Sequence, residues 1–163
     1  VSAPGAVQQL QFGYHAQWGL VANAHNEIYA CDLYQGYAQT NFLVGVFPGK
    51  LRNLCASVTK PLVFAAGDND DIFSYDIVKR TPTTRFQGHR GTIYSLDLTW
   101  DSRYLLSGGS DQTVRVWEVA SGKLLATFTA PAPVRAVAFT DFTEKVWFMI
   151  GLENGQILWL GKL

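Results

Sequence analysis

Four segments of this chain repeat one another at a nearly fixed interval, and that periodicity constrains the fold more than any single residue does. EIYACDL (Glu27–Leu33), DIFSYDI (Asp71–Ile77), TVRVWEV (Thr113–Val119) and QILWLGK (Gln156–Lys162) bring Cys31, Tyr75, Trp117 and Leu160 into register, 44, 42 and 43 residues apart. A second set superposes upstream of them: AVQQLQF (Ala6–Phe12), KLRNLCA (Lys50–Ala56), TIYSLDL (Thr92–Leu98) and PVRAVAF (Pro133–Phe139). Each keeps an apolar residue at two places, first Val7, Leu51, Ile93 and Val134, then Leu10, Leu54, Leu96 and Val137. A unit of this length is one supersecondary element that cannot bury its apolar face alone, so neighbouring units must stack.

The third copy, Gly88 to Phe128, is the most regular. It predicts strands at Thr92–Leu98, Tyr104–Ser107, Thr113–Val119 and Leu124–Phe128, divided by turn residues at Trp100–Ser102, Gly108–Asp111 and Ser121–Gly122. No stretch sustains a 3.6-residue apolar period, so an all-β fold is expected. Short, evenly spaced strands in groups of four suit a radial propeller of about four blades. The repeats divide the chain at approximately 1–47, 48–87, 88–130 and 131–163, one partial propeller whose last blade lacks its outer strand.

The third copy resembles a WD40 repeat. Gly88-His89 opens it, Leu105-Leu106-Ser107-Gly108 forms the second strand, Asp111 sits in the turn, and Trp117-Glu118 stands where the family has Trp-Asp. The resemblance implies a structural tetrad of His89, Ser107, Asp111 and Trp117, in which the buried indole and imidazole find hydrogen-bond partners. The other copies depart from the pattern: the Asp place holds His25, Asn69 and Asn154, and the Trp place holds Cys31, Tyr75 and Leu160. Their assignment rests on period and apolar register. About seven blades are usual in the family and need roughly 300 residues. The expectation is therefore that the remaining blades belong to a longer chain, or that a second copy closes the ring as two halves.

Composition removes several function classes. Thirteen Lys plus Arg balance thirteen Asp plus Glu, so no global field draws in nucleic acid or an anionic membrane. Only residues 50–90 are biased, with seven basic side chains against four acidic ones, which leaves an RNA-contacting subunit of a ribonucleoprotein as an alternative. Cys31 and Cys55 lack disulfide-framework or zinc spacing, so free thiols and an intracellular setting, cytoplasm or nucleus, are expected.

His89, Ser107 and Asp111 could pass for a nucleophilic triad, but the Gly-x-Ser-x-Gly setting is missing and the repeat register accounts for all three. Asp68 to Asp71 lack the glycine and distal Glu of a calcium loop and read as a polar turn. His15 and His25 have no ligand partners nearby in sequence, and no phosphate-binding glycine loop occurs. No catalytic residue, metal or cofactor is expected. What remains is binding. In the resembled family one face of the ring grips proteins. The matching positions here are Gln8, Arg52, Tyr94 and Arg135 in the first strands, with Asp68, Ser110 and Glu153 before the turns. Arg and Tyr dominate interface energetics, which puts Arg52, Tyr94 and Arg135 foremost. The resemblance thus implies a non-enzymatic scaffold that joins other protein subunits in a larger assembly. A substrate receptor of a ubiquitin ligase is a narrower version.

Overall fold

The computed structural model describes residues 5–15, 17–33, 41–142 and 145–161. They form fifteen strands and, among the described residues, no helix. The first sheet is β1 (Val7–Gly13), β2 (Trp18–Asn23), β3 (Glu27–Asp32) and β4 (Asn41–Val46). The second is β5 (Leu51–Ala56), β6 (Leu62–Gly67), β7 (Asn69–Asp76) and β8 (Thr81–Gln87). The third is β9 (Ile93–Leu98), β10 (Tyr104–Gly109), β11 (Thr113–Glu118) and β12 (Leu124–Thr129). The fourth has three described strands, β13 (Val134–Phe142), β14 (Lys145–Leu152) and β15 (Ile157–Gly161). Every sheet is an antiparallel meander in chain order, the architecture of WD40 propeller blades.

The register matches the repeat. Leu10, Leu54, Leu96 and Val137 lie opposite Val21, Ala65, Ser107 and Ile150, while Cys31, Tyr75, Trp117 and Leu160 lie opposite Gly19, Val63, Leu105 and Phe148. Strand ends differ from the sequence expectation by a residue or two. The clearest case is the second repeat, where β7 begins at Asn69 and the turn tightens to Asp68. Lys162, in the fourth of the expected strands, lies outside the described residues.

Sheets stack face to face, and each junction has its own core. Trp18, Leu20, Ile28 and Phe47 meet Leu51, Leu54, Val63 and Tyr75 between the first two sheets. Phe64, Ile72 and Phe86 meet Ile93, Leu105 and Trp117 at the next junction, and Leu106, Val114 and Val116 meet Val134, Val137 and Phe148 at the last. Each such side chain contributes about 1.5–3 kcal/mol by leaving water. Gly108 permits a close approach at the last junction, because a Cβ there would lie 2.6 Å from Val134 Cγ1.

The two end faces are not covered by described residues. Leu10 and Phe12 on the first sheet are 56% and 58% exposed, and Ile157 and Trp159 on the fourth are 70% and 61% exposed.

Candidate functional site

The candidate partner residues share one backbone device. Each first strand carries a register irregularity at its second position: pairing skips Gln8 between Val7 and Gln9, Arg52 between Leu51 and Asn53, Tyr94 between Ile93 and Ser95, and Arg135 between Val134 and Ala136. A bulge leaves its extra residue out of the ladder and re-aims its side chain. Four equivalent bulges therefore lift Gln8, Arg52, Tyr94 and Arg135 out at the same end of the four inner strands. Nothing in the local sequence marks a bulge at these places, and only the register reveals it.

The structure draws most of these side chains into one ridge. Arg52 holds Asp68 in a two-pronged ion pair, Nε to Oδ1 and Nη2 to Oδ2, both at 2.9 Å. Thr92 Oγ1 donates to the same carboxylate at 3.2 Å. Arg135 pairs with Glu153 and lays its guanidinium over the Tyr94 ring, 4.0 Å from the centroid. These contacts tune the charges: the Asp68 hydrogen bond raises Arg52 above its usual value, that same bond from Arg52 lowers Asp68, and the Glu153 hydrogen bond raises Arg135. Gln8 is exposed and Ser110 half-buried at the margin. In the first sheet Ala24 stands where Asp68, Ser110 and Glu153 stand in the others, as its N–H bond to the start of the inner strand shows. The ridge is thus polar, aromatic and close to charge balance.

Below it, His89, Ser107, Asp111 and Trp117 lie in one hydrogen-bonded chain. Trp117 Nε1–H donates to Ser107 Oγ at 2.9 Å, Ser107 Oγ meets His89 Nε2 at 2.7 Å, and His89 Nδ1 meets Asp111 Oδ2 at 2.9 Å. An indole N–H can only donate and a carboxylate only accept, so the serine hydroxyl donates to Nε2 and Nδ1–H donates to Asp111. Burial opposes ionisation of Asp111, yet the His89 hydrogen bond and charge, with donors from Arg90 N and Thr113 Oγ1, hold its carboxyl well below the usual range. Ser107 is fully buried and its oxygen is occupied by the indole. A substrate carbonyl has no approach to it, so the resemblance to a nucleophilic triad ends in geometry.

Elsewhere the same register positions are filled differently. Tyr75 turns its hydroxyl to the Val46 carbonyl at 3.0 Å, and Gly45 makes room for its ring. In the first sheet Asn23, not His25, caps the turn, accepting from His25 N–H and Glu27 N–H. In the biased 50–90 stretch, Arg52, Lys79 and Arg85 are paired with Asp68, Asp76 and Asp71. Among the described residues no group of three or more His, Cys, Asp and Glu side chains is placed to hold a metal ion. No helix among them is long and apolar enough to cross a membrane.

Comparison with known proteins agrees with this architecture. The family model "WD domain, G-beta repeat" matches residues 80–118. The chain is 35% identical over 72 residues to eukaryotic translation initiation factor 3 subunit I of Meyerozyma guilliermondii, covering 44% of this chain and 21% of that protein. It is 38% identical over 67 residues to the subunit of that name from Saccharomyces cerevisiae, covering 41% and 19%. With the Drosophila mojavensis subunit the identity is 29% over 108 residues, covering 66% and 30%. The alignments span only 19–30% of the length of those relatives. With a WD40 repeat matched at residues 80–118 and four meander sheets in blade register, the chain is similar to WD40-repeat proteins in both sequence and fold.

Proposed function

We propose that this chain is a non-enzymatic protein-interaction scaffold, one partial propeller running through all four repeats, that serves as a subunit in an assembly of the translation initiation kind its relatives are named for. The ridge carries the reading. Arg52–Asp68, Tyr94 under Arg135, and Glu153 supply the residue types that anchor protein interfaces, already oriented by ion pairs and a stacked ring, so little side-chain freedom is lost on docking. His89, Ser107, Asp111 and Trp117 are the structural tetrad beneath it, and Gln8 and Ser110 form the margin.

The test is a binding titration of the purified chain against the other purified subunits of Saccharomyces cerevisiae initiation factor 3. Saturable binding is expected, weakened at least about tenfold by Tyr94→Ala with Arg135→Ala while circular dichroism is unchanged. No binding, or equal binding by the variant, overturns the proposal. An RNA-contacting role predicts instead a steep loss of RNA affinity with salt, whereas the scaffold predicts a flat slope.

A further inference from the structure

The register of the outer strands puts three residues at one place: Gly45 lies opposite Ile28, Phe86 opposite Ile72 and Phe128 opposite Val114. Two of the three are rings that reach the next sheet. Phe86 meets Trp117 edge-on, 5.9 Å between centroids, and Phe128 meets Phe148 at 5.2 Å. The first sheet has its ring two residues further on, where Phe47 packs edge-on against Phe73 at 5.7 Å. Tyr75 leans over Gly45 with its hydroxyl tied to Val46 O at 3.0 Å. Beside it a cavity of about 490 Å³ stays open between β4 and the β7–β8 hairpin, a size that takes a ligand.

Leu43, Val46, Pro48, Phe73 and Pro82 form its walls, and Arg80 is the one charged residue among the described residues that line it. Leu43 and Val46 are 42% and 52% exposed. Arg80 stands in the turn after β7 at φ 58°, its N–H on Asp76 O at 2.8 Å and its guanidinium 4.1 Å from the centre of the Phe42 ring. The Asp76 carboxylate is taken by the N–H groups of Val78 and Lys79 and by the Lys79 ammonium. Among the described residues Arg80 has no ion pair. A guanidinium stacked on a ring keeps the N–H groups of its edge for a carboxylate. Pro82 lies on the edge strand β8, where a missing N–H discourages pairing with an added strand. Recognition at this groove therefore falls to a side chain rather than to backbone pairing.

We propose that the groove binds a partner protein through one phenylalanine flanked by Asp or Glu. The ring enters where Phe86 and Phe128 stand in the later sheets, and a flanking carboxylate pairs with Arg80. Two independent observations specify this occupant: both later junctions supply a ring at this place from their own outer strand, and a cation stands at the edge of an otherwise apolar cavity. The groove lies at the outer strands, apart from the ridge on the inner ones, and the inference does not rest on the partners proposed for that ridge.

Fluorescence polarisation of the labelled peptide Gly-Ser-Glu-Phe-Glu-Ser-Gly, titrated with the 163-residue chain, tests it. Saturable binding is expected with a Kd on the order of 10–100 µM. Replacing the peptide's Phe by Ala should weaken it at least about tenfold. Arg80→Glu should weaken it to a similar degree while gaining affinity for Gly-Ser-Lys-Phe-Lys-Ser-Gly, a reversal that a misfolded variant does not produce. Amide NMR shifts caused by the peptide should centre on Leu43–Val46 and Phe73–Arg80. No saturable binding overturns the proposal, as do equal binding by Arg80→Glu and shifts centred elsewhere. Self-association of the free chain that Arg80→Glu abolishes would make a second copy the occupant, and overturns it too. None of these readouts uses Arg52, Tyr94 or Arg135, so failure here leaves the scaffold proposal standing.

Discussion

Ser107→Ala removes one oxygen from the middle of the hydrogen-bonded chain and should be among the costliest single-atom changes in the molecule. Ser107, Trp117 and His89 are 0%, 1% and 3% exposed, so no group freed by the change reaches solvent. The indole N–H loses the acceptor it holds at 2.9 Å, and imidazole Nε2 loses the donor it holds at 2.7 Å. The space left by one hydroxyl is too small to admit a water that could replace it. A buried donor left without a partner costs about 1–3 kcal/mol, and the lost bond to the imidazole adds about 1 kcal/mol, for a total of about 2–4 kcal/mol. With a urea slope of about 2 kcal/mol/M, the unfolding midpoint should fall by about 1–2 M, read from tryptophan fluorescence. Trp117→Phe removes the donor that Ser107→Ala orphans. The two substitutions together should therefore cost less than their sum by about 1–2 kcal/mol. A Ser107→Ala chain that melts with the parent, or a strictly additive double variant, would falsify the claim that these side chains act as one network.

Other outcomes follow from separate parts of the structure. Trp117→Ala should cost about 3–5 kcal/mol in urea unfolding, because it empties a buried site where Phe86 packs edge-on, whereas Tyr75→Phe should cost far less since only the bond to Val46 O is lost. Gly45→Ala places a Cβ 2.5 Å from the Tyr75 ring and should lower stability by about 1–3 kcal/mol, with most of that recovered when Tyr75→Ala is added. The lowered Asp111 carboxyl gives a pH dependence of known sign. Its contribution is complete above the unfolded carboxylate value, about 3.9, and is lost as pH falls toward the folded one. Asp111→Asn should accordingly flatten the acid limb of a stability–pH curve, and an unchanged limb would show that other carboxylates govern it. Burial, with Asp97 nearby, pushes the Cys55 thiol up, so maleimide labelling followed by peptide mapping should modify Cys31 well before Cys55; the reverse order would contradict that placement.

The parts of this fold that were legible in the sequence are those governed by residue type at a fixed interval. Apolar residues at both Leu54-type and Val63-type positions are needed wherever sheets stack, so the period alone located strands and register. The ridge was only half legible. Position in the repeat picked out Arg52, Tyr94 and Arg135, but their pairing with Asp68, the Tyr94 ring and Glu153 depends on contacts across strands and between sheets. The bulges were invisible because no glycine marks them, and the extra residue is detected only by comparing two strands. Gln9, Asn53 and Ser95, which accept from Leu54, Leu96 and Val137 N–H of the next sheet, were missed for a related reason. Each looks like an ordinary polar residue, and its role is set by a backbone N–H more than forty residues away. Asn23 took the turn place that spacing assigned to His25 because its short amide accepts from two backbone donors at once.

The bulged residues separate what the scaffold needs from what it displays. Since Gln8, Arg52, Tyr94 and Arg135 take no part in strand pairing, replacing any of them shifts no neighbour along its strand and opens no core. The mouth of the inner strands can thus be rewritten one side chain at a time, positive to aromatic to neutral, while the stacked sheets stay as they are. A molecule built this way can acquire a different partner without first having to survive a change of fold.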